Sequence, residues 1–309
     1  MDKKTERLVN VARMYYEQDR TQSEIADRYG ISRPMVSKLL KEARDRGIVT
    51  IRINAPKGES GGAPSLMELV GRCFGIYDGV AVPGGPNDQT TNEAVAEAAI
   101  SYLSELGGAS LGIGWGHIIG DVVKHMEQKA KLVPIGTFVC PLIGNGGVGL
   151  KNYHSNELVR SIAEHSGAQP RFIYSPACVL SEQELKLTRE LDSYHEIYHV
   201  WEKLDVALVN IGNFPSVPDF ASEARYGDLL IRQKAVGRIL NYFMDSQGHI
   251  IRSDTDYAIQ IPLELLSGTR HVVGICSANT SPKAFRGALK TGYLKHFIAP
   301  EHVVREALE

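Results

Sequence analysis

The chain has 309 residues, 43% of them apolar and 23% charged, with 34 Lys/Arg against 36 Asp/Glu for a formal net charge of −2. That is too long for one small domain and long enough for a second with a sizeable core. No apolar run approaches the ~20 residues of a spanning helix, the start is charged from Asp2 to Arg7, and Cys73, Cys140, Cys178 and Cys276 lack metal-ligand spacing. The expectation is a cytoplasmic protein with no membrane segment, disulfide, metal or cofactor.

In chain order, an amphipathic helix comes first, with Leu8, Val11, Ala12, Tyr15 and Tyr16 on one side. The segment Thr21 to Leu40 then has the residue types of a helix-turn-helix. Thr21 and Glu24 form a capping box, and Ser32 is a second N-cap with Pro34 in the first turn. Ala26 is small where the two helices touch, and Gly30 supplies a turn in which positive φ costs little. Ile25, Tyr29, Ile31, Val36, Leu39 and Leu40 fall on inner faces. Arg33, Met35, Ser37 and Lys38 face outward at the start of the recognition helix, within reach of base edges in a major groove. Thr21, Gln22, Ser32 and Pro34, at the two helix starts, complete the expected DNA face. Arg44, Arg46 and Arg52 suit phosphate contacts, which position without reading sequence. Residues 1–55 carry a net +4 and the remainder −6, so the basic excess sits where the motif is.

Ile48 to Ile53 alternates like a short strand or wing, and Asn54 to Ser65 reads as a Gly, Pro and Ser-rich linker. The break is placed near residue 58, giving domains 1–57 and 58–309. Beyond Met67, apolar runs of strand length alternate with helical patterns. Strands are expected at Gly79–Val82, Ser110–Ile113, Ile135–Leu142, Arg171–Tyr174, Val206–Ile211, His271–Ile275 and near Phe297–Ala299. Helices are expected at Asn92–Leu106, His117–Lys129, Asn156–Ser166, Ser181–Lys203 and Pro282–Gly292. The fold class is therefore α/β: an all-α helix-turn-helix domain followed by a doubly wound α/β domain. Ligands on such sheets collect at the carboxyl ends of the strands.

Two glycine-rich turns follow strands there. GIGWG, with Gly114 and Gly116, leads into a helix whose free N–H groups suit an anion. GNGGVG, Gly144 to Gly149, matches a dinucleotide fingerprint literally, with Glu164 twenty residues on. That site is set aside, because the next helix starts near Ser155 and Glu164 falls inside it. Both turns also fit a reading in which glycine merely permits a tight bend.

The order of TQSEIADRYGISRPMVSKLLKEARDRGIV, GIGWG, PLIGNGGVG, HSNELVRSIAEHSGA, DVALVNIGNF, KAVGRILNYFMDSQG and SPKAFRGALKTGYL resembles, over essentially the whole chain, the SorC family of bacterial sugar-responsive transcription regulators. The resemblance implies a second domain related in fold to sugar-phosphate isomerases but acting as a sensor of a phosphorylated sugar. It also implies homo-oligomers, usually tetramers, that bind double-stranded operator DNA and change grip when the effector binds. It places a phosphate around Gly116, His117 and Ile118, a second ligand loop at Asn145, Gly146 and Gly147, a sugar-facing position near His154, and a phosphate lysine at Lys283. Arg238 stands where family members often carry an acidic residue, so either the effector is more anionic or Arg238 points elsewhere. The run Pro141 to Gly144 lacks a lysine, which implies noncovalent binding. The alternative is an isomerase or deaminase fused to a DNA-binding module, for which His117, His154, Asp219 and Asp228 are available residue types.

Overall fold

Three helices open the chain: α1 (Lys3–Tyr16), α2 (Gln22–Tyr29) and α3 (Arg33–Asp45). They belong to the first of two units, Met1–Gly62 and Ala63–Glu309, in a computed structural model. It describes residues 3–16, 18, 20–45, 49, 64–129, 136–147, 149, 151–216 and 225–309. The expected wing at Ile48–Ile53, with Arg46 and Arg52, and most of the linker lie outside the described residues except for Val49.

The first unit closes a core of its own. Val11, Met14, Ile25, Ala26, Val36 and Leu40 are buried together, with Tyr15, Tyr16, Tyr29, Ile31 and Leu39 packed against them. The start of α2 is fixed by the reciprocal cap, in which Glu24 N–H donates to Thr21 Oγ1 at 3.3 Å and Thr21 N–H to Glu24 Oε2 at 2.8 Å. Its end is fixed by Gly30 at φ 62°, ψ 37°, whose N–H returns to the helix, while Ile31 N–H reaches Ala26 O at 3.0 Å. A left-handed residue there lets the chain double back without a Cβ clash. The second helix starts directly after Ser32, whose carbonyl accepts from Met35 and Val36.

In the second unit a sheet holds β1 (Gly79–Val82), β2 (Leu111–Ile113), β3 (Phe138–Pro141), β4 (Gln169–Pro170), β5 (Val206–Asn213), β8 (His271–Ile275) and β9 (His296–Pro300), in the order β1-β9-β8-β5-β2-β3-β4. Every neighbouring pair along it is parallel. Four residues at the start of β5, Val206 to Val209, are buried, as a strand covered on both faces requires. A hairpin of β6 (Gly237–Ile239) and β7 (Tyr242–Met244) adds antiparallel to the far end of β5. The helices are α4 (Leu66–Phe74), α5 (Asp88–Glu105), α6 (His117–Glu127), α7 (Ser155–Ser166), α8 (Glu182–Glu190), α9 (Asp192–Trp201), α10 (Leu229–Arg232), α11 (Leu263–Gly268), α12 (Pro282–Lys290) and α13 (Glu301–Leu308).

The strand order positions the site. From β2 the chain steps outward through β3 and β4, then returns to lay β5 on the other side of β2 and steps away through β8 and β9. The direction of winding reverses between β2 and β5. Right-handed crossovers leaving those two strands go to opposite faces, so a crevice opens at their carboxyl ends.

Two expected elements differ. Arg171–Tyr174 is not a strand; the pairing with β3 stops at Pro170. The amide of Asn156 accepts from Ile173 N–H at 3.0 Å and donates to its carbonyl at 2.8 Å, and Asn145 donates to the same carbonyl at 3.2 Å. Side-chain amides there hold the groups a ladder would use. The expected single helix Ser181–Lys203 is two, broken at Leu191, whose φ −67°, ψ 138° is extended. The break separates α8, which buries no residue, from α9, which turns Tyr194, Ile197 and Trp201 into the core. Trp201 Nε1–H then finds Pro141 O at 2.8 Å. The β6–β7 hairpin is an addition, too short to show a period in sequence.

Candidate functional site

On the first unit the outward residues of α3 are placed as the helix period demands. Ser32, Arg33, Pro34, Ser37 and Lys38 are exposed, and so is Met35 at 45%, an apolar residue on an open surface. Arg33 also lines a groove of about 520 Å³ with Tyr15, Tyr16, Arg20, Thr21, Gln22 and Ser23. The Thr21 and Ser23 hydroxyls, the Gln22 amide and the guanidinium groups of Arg20 and Arg33, at the starts of α2 and α3, make a surface of donors, the chemistry that phosphate oxygens accept. Arg44 lies on the last turn of α3.

In the second unit the crevice at the switch point is a pocket of about 250 Å³. Gly116, His117 and Ile118 come from the turn after β2, Asn210 to Asn213 with Pro215 and Ser216 from the end of β5, and Arg238 from β6. Tyr153 and the loop Ser277, Asn279 and Thr280 after β8 complete it. Gly116 sits at φ +114°, where a side chain is strained, and a Cβ there would stand 3.2 Å from Asn210 Nδ2. Glycine thus brings the α6 N-terminus against Asn210. Among the described residues no side chain caps α6, so its first-turn N–H groups, with the positive end of the helix dipole, suit a ligand.

Asn210 is the first polar residue of β5, directly after four buried apolar ones. Its Oδ1 is buried and has no hydrogen-bond partner among the described residues. Leaving such an acceptor unsatisfied costs about 1–3 kcal/mol, a cost a bound ligand or water can remove. Asn213 by contrast is committed to the protein: its Oδ1 accepts from Ser281 N–H at 2.7 Å and its Nδ2 donates to Asn279 O at 3.0 Å. It fixes the start of α12 against β5. Arg238 is 6% exposed, with its guanidinium 3.5 Å from Asn241 Oδ1 and 5.9 Å above the Phe243 ring. Burial pushes the Tyr153 phenol above its ordinary range, and the nearby Arg238 charge pulls the other way.

The residues expected from sequence divide between this pocket and its supports. Gly116, His117 and Arg238 line it; Gly114, Asn145, Gly146, Gly147, His154 and Lys283 are not among its lining residues. Gly114 makes room for Leu240, whose Cδ2 would stand 2.9 Å from a Cβ there. Asn145 Nδ2 donates to Ile173 O, and its Oδ1 accepts from Asn156 N–H at 3.2 Å. Gly146 N–H donates to Tyr153 O at 2.8 Å, in a space that a Cβ would close against that carbonyl and Trp115. The second glycine loop therefore seats Tyr153, which faces the ligand space. Gly147 is exposed, His154 precedes α7, and Lys283 is exposed on the first turn of α12. Asp228 pairs with Arg232 at 3.0 Å on the surface, and Asp219 lies outside the described residues. Asn210, Tyr153 and Thr280 were not singled out from sequence, and Ser277 to Asn279 only as a departure from the paired glycines usual in the family. The signal for Asn210 was present, an amide directly after the apolar run VALV of β5.

Comparison with known proteins matches residues 63–309 to the Sugar-bind family, described as "Putative sugar-binding domain", and residues 5–46 to Sigma-70, region 4. The sorbitol operon regulator of Klebsiella pneumoniae is 30% identical over 300 residues, covering 93% of this chain and 92% of that one. The deoxyribonucleoside regulator of Bacillus subtilis is 27% identical, covering 99% and 98%. The crystal structure of the full-length Klebsiella regulator superposes with a TM-score of 0.70 at 26% identity, covering 100% of both chains. These relatives are named as regulators. Among the described residues no helix is long and apolar enough to cross a membrane.

Proposed function

The chain belongs to the SorC family of transcriptional regulators, and on that footing we propose that it binds operator DNA of a carbohydrate-utilisation operon under the control of a phosphorylated sugar held noncovalently at the switch-point pocket. The observation that carries this reading is the pocket itself. Its described lining offers an uncapped helix N-terminus, amide and hydroxyl groups, and a buried guanidinium, with no carboxylate. Such a set recognises an anion bearing hydroxyl groups.

Among the described lining residues there is no carboxylate base for isomerisation, and we read the chain as a sensor without turnover. DNA contact is assigned to the α3 start, with Arg33 reading a base and Thr21, Gln22 and Arg44 meeting phosphates, in the cytoplasm where the operator is. Assembly into a homo-oligomer is supported by Leu187 and Leu191, four residues apart and 57% and 52% exposed, beside Leu180 at 90%. The effector acts only through its differential affinity for the states of that assembly.

The test is selection of bound duplexes from a randomised pool by the full chain, repeated with sugar phosphates added. Enrichment of a two-fold-related sequence, with recovery changed by one sugar phosphate and not by the free sugar, is the expected result. Arg33→Ala should flatten the sequence preference, since a bidentate guanine contact is worth about 1–3 kcal/mol. Enrichment indifferent to every sugar phosphate would overturn the effector half of the reading.

A further inference from the structure

We propose that Met35 is a specificity-determining residue of the DNA face, where it reads the C5 methyl group of a thymine in the major groove of the operator. This deepens the operator-binding reading and rests on it.

The first unit leaves one large apolar side chain exposed among its described residues, Met35 at 45%. Its apolar neighbours on α3, Val36, Leu39 and Leu40, are buried or packed against the core. At about 100° per residue those three mark the inner side of the helix, and Pro34, Met35 and Lys38 fall together on the outer side. Pro34 holds its own φ at about −65°, which stiffens the turn that presents Met35. The methionine therefore stands at the start of the helix placed to enter the groove, on the side turned away from the core.

Chemistry then narrows what it can meet there. Met35 N–H donates to Ser32 O at 2.9 Å, so its backbone donor is used within the helix start. Its side chain is a flexible thioether with no hydrogen-bond donor and only a weak acceptor. Phosphate oxygens and the polar atoms of base edges are matched instead by Arg33, Ser37 and Lys38, all exposed around it. Base edges in the major groove carry one apolar group, the thymine methyl. Contact between that methyl and Met35 removes apolar surface from water on both partners. Arg33 for a guanine and Met35 for a thymine give α3 two readings of different chemistry, so the preferred half-site should hold both bases.

The test starts from the duplex that the full chain enriches from a randomised pool. Each thymine, with its two-fold mate, is replaced in turn by deoxyuridine, which removes the methyl and keeps every hydrogen-bonding group. At one position the uracil duplex should bind about fourfold more weakly, the equivalent of about one buried methyl. Met35→Ala should bring that ratio to about one and leave the ratios at other positions as they are. Met35→Leu, apolar and of similar volume, should keep most of the ratio and guards against an alanine variant that does not fold. A half-site without thymine, uracil tolerated at every position, or an undiminished ratio in a folded Met35→Ala protein would overturn the thymine contact while leaving operator binding in place. A Met35→Ala protein with altered sedimentation and an unaltered thymine preference would overturn it too, and would assign Met35 to contact between copies of the chain. Failure to enrich any duplex would remove both readings.

Discussion

The two glycine-rich turns of the second unit, Gly114 to Gly116 after β2 and Gly144 to Gly147 after β3, look alike in sequence and have different surroundings. The first stands at the point where winding reverses and opens into the pocket. The second lies one strand further out, and its polar groups are committed inward: Gly144 N–H to Ile259 O, Asn145 N–H to Ser175 O and Gly146 N–H to Tyr153 O. Glycine richness marks where backbone must approach something closely. What it approaches, a ligand or another strand of the protein, is decided by sheet position.

That contrast can be broken most forcefully at Gly144. A Cβ there would lie 2.2 Å from Pro176 O and 2.5 Å from its carbonyl carbon, atoms that cannot swing away. Gly144→Ala should cost about 3 kcal/mol or more, read as a collapse of the denaturation midpoint. Gly147→Ala, with nothing within 4 Å, should stay within about 0.5 kcal/mol. If the two behave alike, close packing is not what the second turn needs its glycines for.

Gly116→Ala should separate the turns by function. Its φ of +114° makes alanine strained by about 1–3 kcal/mol. The added methyl also presses on Asn210, so loss of effector affinity should exceed what the stability loss explains. Next in size is Asn145→Ala, which removes two side-chain hydrogen bonds and should cost about 1–3 kcal/mol. Effector affinity of the folded fraction should stay within about twofold if Asn145 only seats the loop. A tenfold loss without destabilisation would make it a ligand residue after all.

A smaller loss than at Asn145 is expected at the opposite end of β2. Ser110 N–H donates to Asp205 Oδ2 at 3.0 Å and its hydroxyl at 2.9 Å, which holds the carboxyl below its ordinary value of 3.8. Because the folded pKa is depressed, this stabilisation is present above that ordinary value and fades as pH falls through the folded one. Asp205→Asn should cost about 1 kcal/mol near neutral pH and less below pH ~4, with effector affinity unchanged. A shift in affinity would mean that the amino end of β2 is coupled to its turn.

Much of the fold was legible because local rules and tertiary demands agreed. Thr21, Glu24 and Gly30 act at short range, so capping chemistry in the sequence reappears in the structure. The β5 and β8 runs are apolar because both faces are covered. The misses occurred where distant groups overrode the local pattern. Arg171–Tyr174 has strand composition, yet Asn156 and Asn145 take the polar groups of Ile173 that would pair. Of the pocket, the turn at Gly116 and the oddity of Arg238 could be read. That Arg238 lies across Gly212 depends on the register of an antiparallel hairpin only three residues long per strand. Ser277 to Thr280 join the pocket through Asn213, a contact no sequence window contains.

That contact sets an order of events during synthesis. The pocket spans residues from Gly116 to Thr280, and Asn213 holds the start of α12 in place through Ser281. A nascent chain completes helices α1 to α3 by residue 45 and the strands β2 and β5 by residue 213, but its pocket lacks a wall until β8 and the loop behind it have left the ribosome. The unit proposed to meet DNA is therefore made long before the pocket proposed to sense, and a chain truncated before Thr280 is expected to keep the first without the second.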